Sequence, residues 1–230
     1  ALQDQKAFGF DLQQMNNLFC GLVNEDHDKV RKSVTLLNDM EKMYPGTLRT
    51  FPSPAAKRVI FFAMVYVHAV EGDLQRAVEM HKLRITRSKK AGRPLVFPFL
   101  THVEMFNSVM VISMMLCAEE DPLIKEGLAT VRNNINMFAS FNPGTYKCAM
   151  QAYAANITLI LKDQPFGGAF KKMEEALEYA IELDCLPIDV LILKSEIARW
   201  RGDAKGLSDA IKELEQMGLK FHSNRLNFQG

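Results

Sequence analysis

Apolar residues recur along this chain at intervals of three and four, the spacing of a helix with one buried face. Leu12, Met15, Leu18, Phe19 and Leu22 follow that rule behind Asp11, a residue type that caps helix starts. Val30, Val34, Leu37, Met40 and Met43 form the next stripe, opened by Asp28 and stopped by Pro45-Gly46. Ser53-Pro54 sets a cap before a proline at the first helical position, where its missing N–H costs nothing. That helix carries Ile60, Met64, Val67 and His68 as far as Gly72. Asp73 opens another through Leu74, Ala77, Val78 and Leu83, which runs out in Arg87-Ser-Lys-Lys-Ala-Gly92.

The alternation continues through the second half. A strongly apolar helix is predicted over 97–118, and Asp121-Pro122 opens one bearing Leu128, Val131, Ile135 and Phe138. Pro143 precedes a helix with Cys148, Tyr153, Ile157 and Leu161. Gly167-Gly168 reads as a turn before Phe170, Met173, Leu177 and Ile181. Pro187 opens a helix ending at Gly202, and Asp203 opens a last one ending at Gly218. No alternating run is bounded by hairpin turns, so no strand is predicted.

This makes ten helices in five pairs. Pair openings fall near residues 11, 54, 97, 144 and 187, a spacing of 43 to 47. Helix pairs at a fixed period mark a solenoid, in which each pair buries its apolar face on its neighbours. An irregular helical bundle is the alternative. The fold class expected is all-α: an α-solenoid of about five stacked antiparallel helix pairs in a single domain, 1–230. The pairs divide at 1–50, 51–94, 95–141, 142–185 and 186–230.

Composition narrows the function. Hydrophobic residues make up 48% and charged residues 24%, the balance of a globular protein with a sizeable core. A net charge of +1 supplies no global field for nucleic acid or an anionic membrane. The longest apolar runs, Val59 to Val70 and Val109 to Ala118, fall short of the ~20 residues that cross a bilayer. A soluble, cytoplasmic protein is expected, and the start at Ala1 suggests a processed chain or, in preference, an excerpt of a longer one. Cys20, Cys117, Cys148 and Cys185 have no CxxC spacing and sit among apolar residues, so buried free thiols are expected.

The motifs of enzymes are missing. There is no HExxH, P-loop or GxSxG, and His27, His68, His81, His102 and His222 lack the spacing of metal ligands. No cofactor or metal is expected, and a catalytic role requires side chains distant in sequence to converge. His68 and His102 lie on apolar helices and read as core histidines. Glu104, inside the apolar helix over 97–118, belongs either at a groove edge or buried against a partner. One surface feature is distinctive. Lys82, Arg84, Arg87, Lys89, Lys90 and Arg93 gather six cations at a helix end and its loop. They read as a solvated helix C-terminus, which favours cations, or as a patch for an acidic protein, an anionic lipid or phosphate.

Three stretches resemble tetratricopeptide repeats. Gly72-Asp73-Leu-Gln-Arg-Ala77 has the glycine–acid turn followed by a small residue. Ala169, Met173 and Ala176 place small, large and small residues at offsets 0, 4 and 7, and Gly202-Asp203 with Leu207, Ile211 and Leu214 is a looser copy. In the first copy His81 and Arg84 occupy the large and small positions, and the pitch exceeds the usual 34 residues.

A second similarity covers about 95–215. Phe97-Pro98-Phe99-Leu100, an apolar helix, Arg132-Asn-Asn-Ile-Asn-Met-Phe-Ala139 and Asn142-Pro143-Gly-Thr-Tyr146 come in order. Glu174-Glu-Ala-Leu-Glu-Tyr-Ala-Ile181 and Glu196-Ile-Ala-Arg-Trp-Arg-Gly-Asp203 follow. This order resembles the helical-repeat region of very large signalling proteins that join a kinase-like domain, an AAA-type ATPase module and a C-terminal sensor histidine kinase or cyclase. Of that family's Trp-Ala-x-x-Cys-Pro-x-x-Phe stretch, Phe138, Ala139, Pro143 and Tyr146 stand as counterparts, while the Trp and Cys are absent. The resemblance implies a regulatory or scaffolding segment rather than a catalytic one.

The function expected is therefore protein–protein interaction. The partner is a protein or peptide, or another domain of the parent chain, and not nucleic acid. First helices of the pairs, over 54–71, 97–118, 144–162 and 187–201, are expected to line the binding face. A small-molecule sensing domain, with its pocket beside the Met-rich helix over 97–118, is the alternative.

Overall fold

The computed structural model describes residues 2–43, 53–88, 98–118, 120–141 and 145–228, with side chains for most of them. These residues form eleven α-helices and no strand, so the all-helical class is observed. In the first half come α1 (Leu2–Val23), α2 (His27–Met43), α3 (Ser53–Val70), α4 (Leu74–Ser88) and α5 (Pro98–Ala118). In the second come α6 (Pro122–Phe141), α7 (Thr145–Leu161), α8 (Phe166–Glu182), α9 (Pro187–Arg201), α10 (Ala204–Gln216) and α11 (Lys220–Phe228). Pro45-Gly46, Asn142 and Pro143 lie outside the described residues.

Aspartates start the helices as the sequence implied. Asp73, Asp121 and Asp203 accept bonds from the backbone N–H of Arg76 (3.0 Å), Leu123 (2.7 Å) and Gly206 (2.9 Å). Each satisfies an N–H that has no acceptor inside its helix. Gly202 closes α9 in the left-handed conformation, with φ of 69°.

Four readings need correction. The cap of α2 is Asp26, bonded to the Lys29 N–H at 3.0 Å, and Asp28 already sits in the first turn. Helix α1 begins at Leu2 rather than Asp11, because Leu2–Phe10 contains good helix formers and no proline to stop it. Gly167 and Gly168 are not a turn but lie in the first turn of α8, whose N–H groups have no intrahelical acceptors. Helix α11 was not foreseen at all.

The chain forms two compact units, residues 1–107 and 108–230. In the first, α2 packs between α1 and α3, α4 packs on α3, and α1 also touches α3. In the second, α7 packs on α6 and α8 and also reaches α9, while α10 packs on α9 and α11. Within α1–α4 and within α6–α11 sequence neighbours therefore meet, and so do α1 with α3 and α7 with α9. Where α1 crosses α2 the approach is close: a Cβ on Gly21 would stand 2.7 Å from Val30 Cγ2.

Ala77, His81 and Arg84 are buried, as are Ala169, Met173 and Ala176 at the same offsets. Every residue of α5 from Asn107 to Leu116 is buried, as expected of a helix apolar all round. Among the described residues, no helix is long and apolar enough to cross a membrane. All four cysteines are free, but only Cys185 is buried; Cys148 is half-buried, and Cys20 and Cys117 are exposed. Cys20 follows Leu18 by two positions, about 200° around the helix, which turns it away from the core face.

Candidate functional site

Among the described residues of the second unit two grooves are seen, each framed by three consecutive helices. The first, of ≈ 650 Å³, lies between α6, α7 and α8. The second, of ≈ 340 Å³, lies between α8, α9 and α10. Their linings correspond position by position. Gln151, Ala154, Ala155 and Thr158 of α7 are matched 43 residues on by Lys194, Ile197, Ala198 and Arg201 of α9. On the other wall Ala169, Lys172, Glu175, Ala176 and Tyr179 are matched 34 residues on by Asp203, Gly206, Asp209, Ala210 and Glu213.

The shared frame carries different chemistry. The first groove has an alanine floor and uncharged amides on its walls: Asn133, Asn136, Gln151 and Gln164. A primary amide both donates and accepts, so this lining suits peptide backbone or another polar ligand. Its Arg132 is held by Asp163 at 2.6 Å and donates to Thr158 Oγ1 at 3.2 Å. The second groove has an apolar floor of Leu177, Leu191, Ile197 and Ala210 under a rim rich in carboxylates. Ile181 belongs to that lining and is 49% exposed, so it is not the core residue its place in the apolar stripe implied.

Behind the grooves runs a buried polar network that fixes their framework. Tyr153 of α7 donates from its hydroxyl to Asp189 Oδ1 of α9 at 2.8 Å. Trp200 Nε1 of α9 donates to Asn156 Oδ1 of α7 at 2.9 Å. Glu196 of α9 accepts from Arg225 of α11 and from Arg199, each at 2.6 Å. Burial by itself raises the Glu196 carboxyl, but Arg225 and then Arg199 outweigh it and hold the group at about 2. Burial, followed by the Asp189 charge and hydrogen bond, pushes the Tyr153 phenol well above its ordinary value. His222 lies against the same ions; burial and the Arg225 charge lower it to about 3, so its imidazole is neutral. Sequence reasoning missed this network. Its signal was present: Asp189 lies between Ile188 and Val190, and Glu196 is followed by Ile197 and Ala198, and acids among apolar neighbours need buried partners.

An aromatic cluster stands beside the second groove. Phe166 stacks on Phe170 at 5.3 Å and meets the edge of Trp200 at 6.0 Å. The Arg199 guanidinium lies 4.5 Å from the Trp200 ring centroid and that of Arg201 5.9 Å from Phe170. Phe166 itself is 52% exposed.

The residues expected to form a basic patch part company. Arg84 is 8% exposed, with its guanidinium 5.8 Å from the Phe62 ring, so it faces inward. Lys82 is half-buried. The Arg87 side chain, Lys89, Lys90 and Arg93 lie outside the described residues, as do the side chains of His102 and Glu104. His68 is half-buried in the last turn of α3. His81 is fully buried, and burial together with Arg84 lowers it to about 3.

Among the described residues no group of three or more His, Cys, Asp and Glu is placed to hold a metal ion. Burial, with smaller contributions from Cys148, Asp189 and Asp184, pushes the Cys185 thiol up to about 11, which disfavours a nucleophilic thiolate. Neither groove is lined by a residue of α5. Comparison with protein-family models, with curated proteins and with solved structures gave no match.

Proposed function

We propose that this chain is an α-solenoid segment whose grooves engage a protein or peptide, as a scaffold or regulatory spacer in a larger cytoplasmic signalling protein. The observation carrying this reading is the pair of matched grooves, with equivalent positions 43 residues apart on α7 and α9 and 34 apart on α8 and α10. Stacked helix pairs generate this recurrence, and their grooves serve as extended binding surfaces. The contacts of α1 with α3 and of α7 with α9 support the same architecture. The resemblance to tetratricopeptide repeats and to helical-repeat regions of multidomain signalling proteins supports the setting. The non-catalytic character rests on the sequence, which carries none of the familiar catalytic motifs.

The test is site-specific photocrosslinking in the parent cell. A photoreactive residue at Gln151 or Lys194, inside the grooves, should capture discrete partners; at Lys171, exposed and outside both linings, it should not. Equal labelling from all three positions would sink the reading.

A small-molecule sensor is the second reading, favoured by one observation. The ≈ 650 Å³ of the α6–α7–α8 groove falls in the range of ligand pockets. A metabolite that raises the melting temperature of the wild type but not of Gln151→Ala would select this reading.

A further inference from the structure

The two grooves share a frame but not a charge. In the α8–α9–α10 groove Glu178, Asp209 and Glu213 stand on the rim above Leu177, Leu191 and Ile197. The lining cation Arg201 is engaged by Glu174. Lys194 is the other cation of the lining, and among the described residues no ion pair reaches Glu178, Asp209 or Glu213. At the matching positions of the α6–α7–α8 groove stand Asn133, Glu175 and Tyr179, and there Glu175 is already paired with Lys171 at 3.7 Å. Positions that do the same structural work thus carry three carboxylates where the floor is apolar and one, already paired, in the other groove. Helix packing does not require those charges, and gathered on one rim they repel each other until a cation arrives.

We propose that the α8–α9–α10 groove docks a cationic segment of a partner protein, in which Lys or Arg side chains flank a bulky apolar anchor. The anchor sits against Leu177, Leu191 and Ile197, and the cations meet Glu178, Asp209 and Glu213. This deepens the interaction reading above and rests on it.

The probe is a fluorescein-labelled dodecapeptide in which four lysines flank two leucines on an alanine–glutamine background, titrated with the full chain. Saturable binding is expected, weakening about tenfold or more from low salt to about 0.3 M, because rim charges are screened. Glutamate in place of each lysine should abolish it. Glu178→Gln/Asp209→Asn/Glu213→Gln should weaken it about tenfold or more while melting like the wild type, since exposed charges contribute little to stability. Lys194→Glu, which adds a carboxylate to the same lining, should tighten it several-fold. Equal binding of both peptides, wild-type binding by the triple variant, or no saturation at millimolar protein overturns the proposal. Self-association of the chain that disappears in the triple variant also overturns it, by placing a second copy in the groove. Crosslinking at Gln151 is independent of this groove, so the two readings fail separately.

Discussion

Arg225 of the last helix bonds Glu196 of α9 at 2.6 Å, with both side chains 1% exposed. The pair ties α11 to the framework of the second groove, and Arg199 supplies Glu196 with its second cation. Breaking a buried pair from one side leaves an uncompensated charge, which typically costs ~3–5 kcal/mol. Arg199 still holds Glu196 in Arg225→Met, so the unfolding free energy of the second unit should fall by about 3 kcal/mol, the low end of that range. Adding Glu196→Met should restore part of it, because the buried carboxylate is gone and the Arg199 left without it is 20% exposed and can reach water. Denaturant melts of the three proteins check this. An Arg225→Met loss under about 1 kcal/mol would mean that α11 is not anchored here.

Glycines give a signed contrast. Gly21→Ala would place a methyl 2.7 Å from Val30 Cγ2 and 3.1 Å from the Val30 nitrogen and Asp26 oxygen. Valine is stiff at χ1 and backbone cannot easily give way, so overpacking of ~1–3 kcal/mol should exceed the helix-propensity gain. Gly168→Ala meets nothing within 4 Å and should stabilise by up to ~1 kcal/mol. Thermal melts that shift both variants in the same direction would contradict the packing of α1 on α2.

Ala169 tests the repeat register. It is 4% exposed, whereas Lys171 on the same helix is open to solvent. Ala169→Leu should cost ~1–3 kcal/mol, and Lys171→Leu should stay within about 0.5. Equal midpoints for the two variants would refute the alignment of Ala169 with Ala77.

What the sequence disclosed, and what it hid, follows from how each element is stabilised. Helices with apolar stripes and aspartate caps, such as α4 and α10, were legible because spacing and capping are local. Helix α11 was not, because its buried residues include His222, Ser223 and Arg225, and a hydrophobic period cannot register a helix that docks through ions. The same blindness placed Arg84 on a surface patch, since a cation's type says nothing about an aromatic ring waiting on another helix. His81 and Arg84 carry the wrong residue types for a tetratricopeptide repeat, yet both are buried. The grooves were hidden for another reason. The 43-residue recurrence was visible in the pair openings, but which helix faces form a groove depends on how three helices pack.

The buried histidines set the acid limit of the fold. His81 in the first unit and His222 in the second are each held at about 3, against an ordinary 6.5. The folded chain therefore stays unprotonated at both sites through mildly acidic pH, while the unfolded chain binds a proton at each below about 6.5. Stability rises with pH wherever the unfolded state holds more protons, so it should fall as pH drops from about 6.5 towards 3. Each histidine contributes a slope of up to ~1.4 kcal/mol per pH unit to its own unit. Glu196 acts lower down: its carboxyl, depressed to about 2, stabilises fully above about 4.5 and loses that contribution as pH falls towards 2. Neither ring nitrogen of His81 has a hydrogen-bond partner among the described residues. His81→Leu should thus flatten the first unit's profile between pH 6.5 and 3 and stabilise it by about 1 kcal/mol at pH 7. Denaturant melts across pH 4 to 8 measure both effects. An unchanged slope in His81→Leu would show that the imidazole is not buried in its neutral form.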